Sequence, residues 1–128
     1  IVILGILAAF ALPKFADLSG DARASSLNGA LGSVRSASAI VHSTALARNQ
    51  TGTAGSVTLE GAAIATAFGY ATQASILTAA QLGADYTTTP AGTIALGTCS
   101  FTYTAATSAT VPAVISAITD TDSATPGC

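Results

Sequence analysis

An α+β fold is predicted for this chain of 128 residues: a long N-terminal helix packed on a small antiparallel sheet, with a C-terminal loop closed by a disulfide. Three observations carry the prediction. The first third, Ile1 to about Arg48, opens on the apolar run IVILGILAAFAL and continues as a polar-and-small pattern with an apolar stripe at helical spacing. Cys99-Ser100-Phe101-Thr102-Tyr103-Thr104 alternates strictly, as a strand does, and sets Cys99, Phe101 and Tyr103 on one face. The two cysteines, Cys99 and Cys128, have no metal-site neighbours: no CxxC, no paired histidine and no acidic cluster. Two buried free thiols are the alternative to a bridge, but an unbridged Cys128 would be an exposed reactive group. The bridge would close a loop of about 30 residues, stabilise by roughly 3–4 kcal/mol and imply an oxidising compartment.

Composition narrows the function. Half the residues are apolar, but aromatics are 5%, Trp and Met are absent, and charged residues are only 8%, against about 25% in soluble domains. A surface so poor in charge favours association, so the chain reads as one that packs against copies of itself. The net charge of −2, with four basic residues spread over positions 14 to 48, argues against a nucleic-acid groove. All four basic residues, Lys14, Arg23, Arg35 and Arg48, precede the head, whose charged side chains are Glu60, Asp85, Asp120 and Asp122. The chain divides at 1–48, the helix, and 49–128, a head with sheet and short helix. About 80 residues make a marginal core without further support.

Ile1, Val2, Ile3, Leu4, Ile6, Leu7, Phe10 and Leu12 supply the apolar surface of the first segment, which as helix is ~18 Å long, short of the ~30 Å hydrocarbon core. A signal-peptide core is one reading, since Ala9-Phe10-Ala11 has the A-x-A form, but no basic region precedes it. A buried soluble helix is another, but nothing else in the chain is long enough to cover it. The favoured reading is the remainder of a longer apolar segment. Pro13 lacks an N–H and clashes with the preceding turn, and Gly5 is a second weak point, so the helix is expected to kink or open between them.

IVILGILAAFALPKF followed by DARAS resembles the N-terminal helix of bacterial type IV pilins, closest to the MSHA type. Gly69-Tyr70, the strand Cys99 to Ala106 and the final Gly127-Cys128 extend the likeness into the head, although Ala71 stands where that family commonly has Pro. The resemblance implies a methylated residue and a docking glutamate ahead of Ile1. It also implies a helix that is a membrane anchor before assembly and filament core afterwards, and an extensible stretch from Gly5 to Pro13.

Beyond Pro13, Phe15, Leu18 and Ala22 are expected on one face, continued by Leu27, Leu31, Val34, Val41 and Ala45, with Ser38 in the intervening turn. Lys14, Asp17, Asp21 and Arg23 lie opposite as candidate inter-subunit charges, with Asp17–Asp21 a like-charge pair four residues apart. Gly20, Gly29 and Gly32 weaken the helix in isolation, so packing must hold it. The stretch 48–55 ends the helix. Val57 to Glu60 reads as a strand, Gln73 to Leu82 as a helix capped by Thr72 and stopped by Gly83, and 85–92 as loop. Thr93 to Gly97, Cys99 to Thr104 and Val111 to Thr119 read as strands, with Pro112 near the start of the last. Asp120 to Cys128 reads as a closing loop.

No catalytic constellation and no cofactor motif appears, and the chain is not expected to be an enzyme. His42, alone on the helix, reads as a packed or surface residue. Asp120 and Asp122 invite a Ca²⁺ site of the kind in the major pseudopilins of type II secretion, but two carboxylates are too few. Asn49-Gln50-Thr51 forms a sequon, and the threonines at 87–89 offer O-glycan acceptors. The expected function is therefore the major structural subunit of a type IV pilus. It would wait in the inner membrane, be extracted by the pilus assembly machinery, and polymerise into an extracellular adhesive filament. The alternatives are a type II secretion pseudopilin acting as a periplasmic piston, or a signal-anchored periplasmic binding domain. A disulfide-closed C-terminal loop favours the pilin.

Overall fold

A computed structural model describes residues 2–121 and 128, with side chains from position 20 onward. The chain folds as a long helix laid across two small antiparallel sheets. Helix α1 spans Val2–Ala47, 46 residues and ~70 Å at 1.5 Å per residue, and is assigned as helix through Gly5 and Pro13. It ends because Asn49 takes a left-handed conformation at φ 55. The Gln50 amide then donates to Ala45 O at 2.7 Å and the Asn49 amide to Leu46 O at 3.2 Å, which satisfies carbonyls of the last turn.

Strand β1 (Gly55–Leu59) pairs antiparallel with β2 (Ala62–Ala67), and β2 with β3 (Tyr70–Ala71). Both connections are two-residue turns with positive φ throughout: Glu60 48 and Gly61 84, then Phe68 52 and Gly69 83. That is the twist a two-residue hairpin needs. The sequence hides them, because a glutamate and a phenylalanine stand where asparagine or aspartate is usual.

The expected helix from Gln73 to Leu82 is reduced to a single turn, α2 (Ile76–Ala79), preceded by Ser75 and not Thr72. Ser75 is nearly buried and its hydroxyl donates to Ala65 O at 2.6 Å, so the residues before it are held against β2 and cannot enter a helix. The stop is Gln81 at φ 53, not Gly83. The Gln81 side-chain amide reaches Glu60 Oε2 at 3.0 Å and ties the end of α2 to the β1–β2 turn.

The second sheet is built on β5 (Cys99–Thr104), flanked on one side by β4 (Thr93–Leu96). Gly97 at φ 65 makes the tight turn between them. The expected strand from Val111 to Thr119 is broken in two along the other edge of β5. Strand β6 (Val114–Ile115) pairs with Tyr103 and Thr104, and β7 (Thr119–Asp120) with Cys99 and Ser100. The register shifts by one residue between them, a bulge in which Ser116 Oγ accepts the Thr102 amide at 2.9 Å. Asp120 is thus in a strand and not in the closing loop.

One core unites helix and sheets. Leu27, Leu31, Val34, Val41 and Ala45 are all buried, joined by Ala30 and Ala37, against Val57, Ile64, Ile76, Ile94, Cys99, Phe101 and Tyr103. The alternation in β5 is as the sequence implies. Ala22, expected to begin the stripe, is exposed, and Phe15 and Leu18 lie outside the described side chains.

Ser38 interrupts the apolar stripe for a reason. It lies against fully buried Tyr103, whose hydroxyl donates to Ala71 O at 2.7 Å and also hydrogen-bonds with the Ser38 side chain. Burial pushes the phenol above its ordinary value, partly offset by the Ser38 bond, and Tyr70 raises it further. Tyr103→Phe removes one hydroxyl and deprives its buried partner of a bond, so chemical denaturation should show a loss of about 1–3 kcal/mol. Folded Tyr103 binds its proton more tightly than unfolded Tyr103. Stability is therefore full below about pH 10 and falls as pH rises above it, because the unfolded state ionises first. The same denaturation series, repeated at alkaline pH, should show a smaller alkaline decline in Tyr103→Phe.

Candidate functional site

The sequence places the functional surface on α1, and the structure divides that helix. The described core uses it from Leu27 to Ala45. Nearer the N-terminus, Asp21 and Ala22 are exposed. Two contacts fix the near edge of the head: the Tyr86 hydroxyl donates to Ser26 O at 3.2 Å, and Arg23 lies over the β4–β5 turn. A Cβ on Gly97 would come within 3.1 Å of Arg23 Cδ. Arg23, an expected inter-subunit charge, thus spends its aliphatic stem on its own head while the residue stays exposed. Asp21 is exposed on the same helix, and Lys14 and Asp17 lie outside the described side chains, as do Ile1 to Leu12.

The exposed face of the covered half is unusually bare. Gly29 and Gly32 are exposed, and a Cβ built on either meets nothing within 4 Å. Alanine would fit at both and strengthen the helix by about 1 kcal/mol each. The isolated fold therefore gains nothing from these glycines. Beside them a groove of about 670 Å³ runs between α1 and the β1–β2 hairpin, with Ser36 and Ala37 on the helix side and Thr58 and Glu60 opposite. Ile40 at its edge is 50% exposed, and Leu46, Val111 and Val114 are other large apolar residues near half exposure. These positions read as a surface that tolerates close approach by another chain.

Cys99 and Cys128 form the expected disulfide, with sulfurs 1.98 Å apart. Cys99 is fully buried at the start of β5, so the bridge ties the chain's end to the central strand of the second sheet.

His42 is half-buried, as a packed residue and not a ligand cluster: its ring stacks on Tyr70 and Nδ1 contacts Gly69 O at 2.9 Å. Among the described residues no group of three or more His, Cys, Asp or Glu is placed to hold a metal ion. Asp120 sits in β7, and Asp122, its partner in the Ca²⁺ idea, lies outside the described residues. Asn49 and the threonines at 87–89 are exposed. Among the described residues no helix is long and apolar enough to cross a membrane. Sequence reasoning missed the role of Gly92, whose φ of 84 and tight approach to Tyr103 fix the β4–β5 register. A glycine directly before a strand was the available signal. No family model, no curated protein and no solved structure matches the chain.

Proposed function

We propose that the chain is the repeating structural subunit of a type IV pilus, with no catalytic role. The apolar front of α1 is the filament core and the head forms the outer surface. The observation that carries this reading is the exposure of α1 as it leaves the head: among the described side chains Asp21, Ala22 and Arg23 are exposed and the core begins at Leu27, and the most apolar stretch of the sequence lies further toward the N-terminus, ahead of Pro13. Gly29 and Gly32, which the isolated fold does not need, support close approach of a neighbouring subunit. The low charge of the whole chain points the same way. The Cys99–Cys128 bridge favours a pilus subunit over a secretion pseudopilin. Before assembly the apolar front is held in the inner membrane. An assembly machine then draws the subunit out, and lipid contacts are exchanged for contacts between helices. In the assembled filament the stretch from Gly5 to Pro13 is where the helix yields under load.

Leu7→Asp tests the reading. A carboxylate in the proposed apolar core, without a partner, is costly, and on this reading position 7 lies outside the head. Filament yield should fall at least tenfold, while thermal unfolding of the head, followed by circular dichroism, stays unchanged. Wild-type filament yield in this variant would exclude the proposed core.

A further inference from the structure

Asn28-Gly29 is the one Asn-Gly pair in the sequence, and it lies within α1, where neither residue helps the helix. Asparagine is an indifferent helix former, and glycine costs about 1 kcal/mol against alanine. Both residues are exposed, and a Cβ on Gly29 would meet nothing within 4 Å, so no packing selects the glycine. The pair carries a reactivity of its own. The backbone nitrogen of residue 29 can attack the Asn28 side-chain carbonyl carbon and close a ring, and glycine leaves that nitrogen unshielded. Asparagine is thermolabile through such chemistry.

In the closed helix the reaction is blocked twice. The Gly29 amide belongs to the helical ladder and faces the carbonyl four residues back, that of Ser25. Asn28 Nδ2 donates to Ala24 O at 3.0 Å, which holds the side-chain carbon over the preceding turn and away from the Gly29 nitrogen. Ring closure requires both bonds to break and the Asn28 backbone to leave its helical ψ. The turn that must open is weakly held. Of residues 25–29 only Leu27 is buried, and the Tyr86 hydroxyl adds one bond, to Ser26 O at 3.2 Å. Just ahead, Asp21, Ala22 and Arg23 are exposed. Ser25, Ser26, Asn28, Gly29 and, nearly a turn on, Gly32 are all inferior helix formers. Opening this turn therefore costs less than unfolding the head.

We propose that Asn28 is a self-modification site, deamidated through a succinimide whose formation is gated by the opening of α1 at the near edge of the head. When the turn opens, the Gly29 nitrogen bonds to Asn28 Cγ. The side-chain amide leaves as ammonia, taking the proton that the Gly29 nitrogen gives up. Water then opens the ring. Attack at the side-chain carbonyl yields aspartate, and attack at the backbone carbonyl yields isoaspartate. Water is the only co-reactant. Either product puts a carboxylate where a neutral amide stood, one further negative charge, so the formal net charge goes from −2 to −3. Isoaspartate also adds a methylene to the backbone, and the helical ladder cannot close across it. A reversible opening thus becomes a permanent break in α1, between its apolar front and the head. The site belongs to α1 and stands whether or not the chain polymerises.

Incubation of the full chain at mildly alkaline pH, in micelles of a zwitterionic detergent, tests it. Peptide mass spectrometry reads the initial rate at Asn28, and labelling by an isoaspartyl methyltransferase separates isoaspartate from aspartate. The reference is a synthetic peptide of residues 25–33, too short to hold a helix. Product is expected at Asn28 at a rate about ten- to a thousandfold below that of the peptide, the factor being the fraction of time the turn is open. Tyr86→Phe removes a bond that only the closed turn makes, and should speed the reaction about threefold or more. Gly29→Ala strengthens the turn and shields the nitrogen, and should slow the reaction about tenfold or more. A rate equal to the peptide's would show that α1 does not gate the site. No product at about a thousandth of the peptide's rate, or the wild-type rate in either variant, would equally overturn the proposal.

Discussion

Gly92→Ala should destabilise the head by about 3–5 kcal/mol, a large share of the stability of a small domain. Gly92 stands at φ 84, where an L side chain is strained, and a Cβ there would come within 2.5 Å of the Tyr103 carbonyl and 2.8 Å of Gln73 Nε2. The Tyr103 carbonyl is backbone and cannot give way cheaply, while the Gln73 amide can swing aside only by giving up its own hydrogen bond. Gly92 O accepts the Tyr103 amide at 2.7 Å, and Gln73 Nε2 donates to Tyr103 O at 3.3 Å. Tyr103 itself is buried in the central strand of its sheet and anchored through its hydroxyl to β3. The alanine would therefore push on the residue that joins both sheets to α1. Urea denaturation measures the loss, and Gly29→Ala, which meets open space, is the control that should not destabilise.

Cys128→Ala should cost about 3–4 kcal/mol, the chain-entropy value for a closed loop whose cysteines are 29 positions apart. The loss should be felt unevenly. Strand β7 has two residues and pairs with β5 at Cys99 and Ser100, next to the bridge. So short a pairing is marginal by itself. Hydrogen exchange should show β7 losing protection first, with β4 and the α1 core least affected. Wild-type protein under a reductant should reproduce the variant's profile. Equal protection of β7 with and without the bridge would show that the bulged edge holds itself.

The fold class was legible because its strongest signals are local. The stripe from Leu27 to Ala45 and the alternation of β5 are periodic patterns that packing did not override. What failed was decided by contacts distant in sequence. The second helix was shortened by the bond from Ser75 to Ala65, and the last strand was split where Ser116 enters the ladder at Thr102. Two hairpins were hidden because Glu60 and Phe68 occupy left-handed positions against their preference. Ser38 looked like a gap in the helix stripe and is the neighbour of the Tyr103 hydroxyl. Of the candidate site, the apolar run and the cysteine pair were plain from residue types. The open space over Gly29 and Gly32, and the groove beside Gly32, needed coordinates.

The central claim is that the apolar front of α1 is filament core. Electron cryomicroscopy of the protein as it is displayed by its own cells tests it most directly. The account predicts a helical filament in which residues 1–12 pack against the same segment of neighbouring subunits, with the heads outside. A monomeric protein whose first segment is open to solvent, with no filament on the cells that make it, would contradict it.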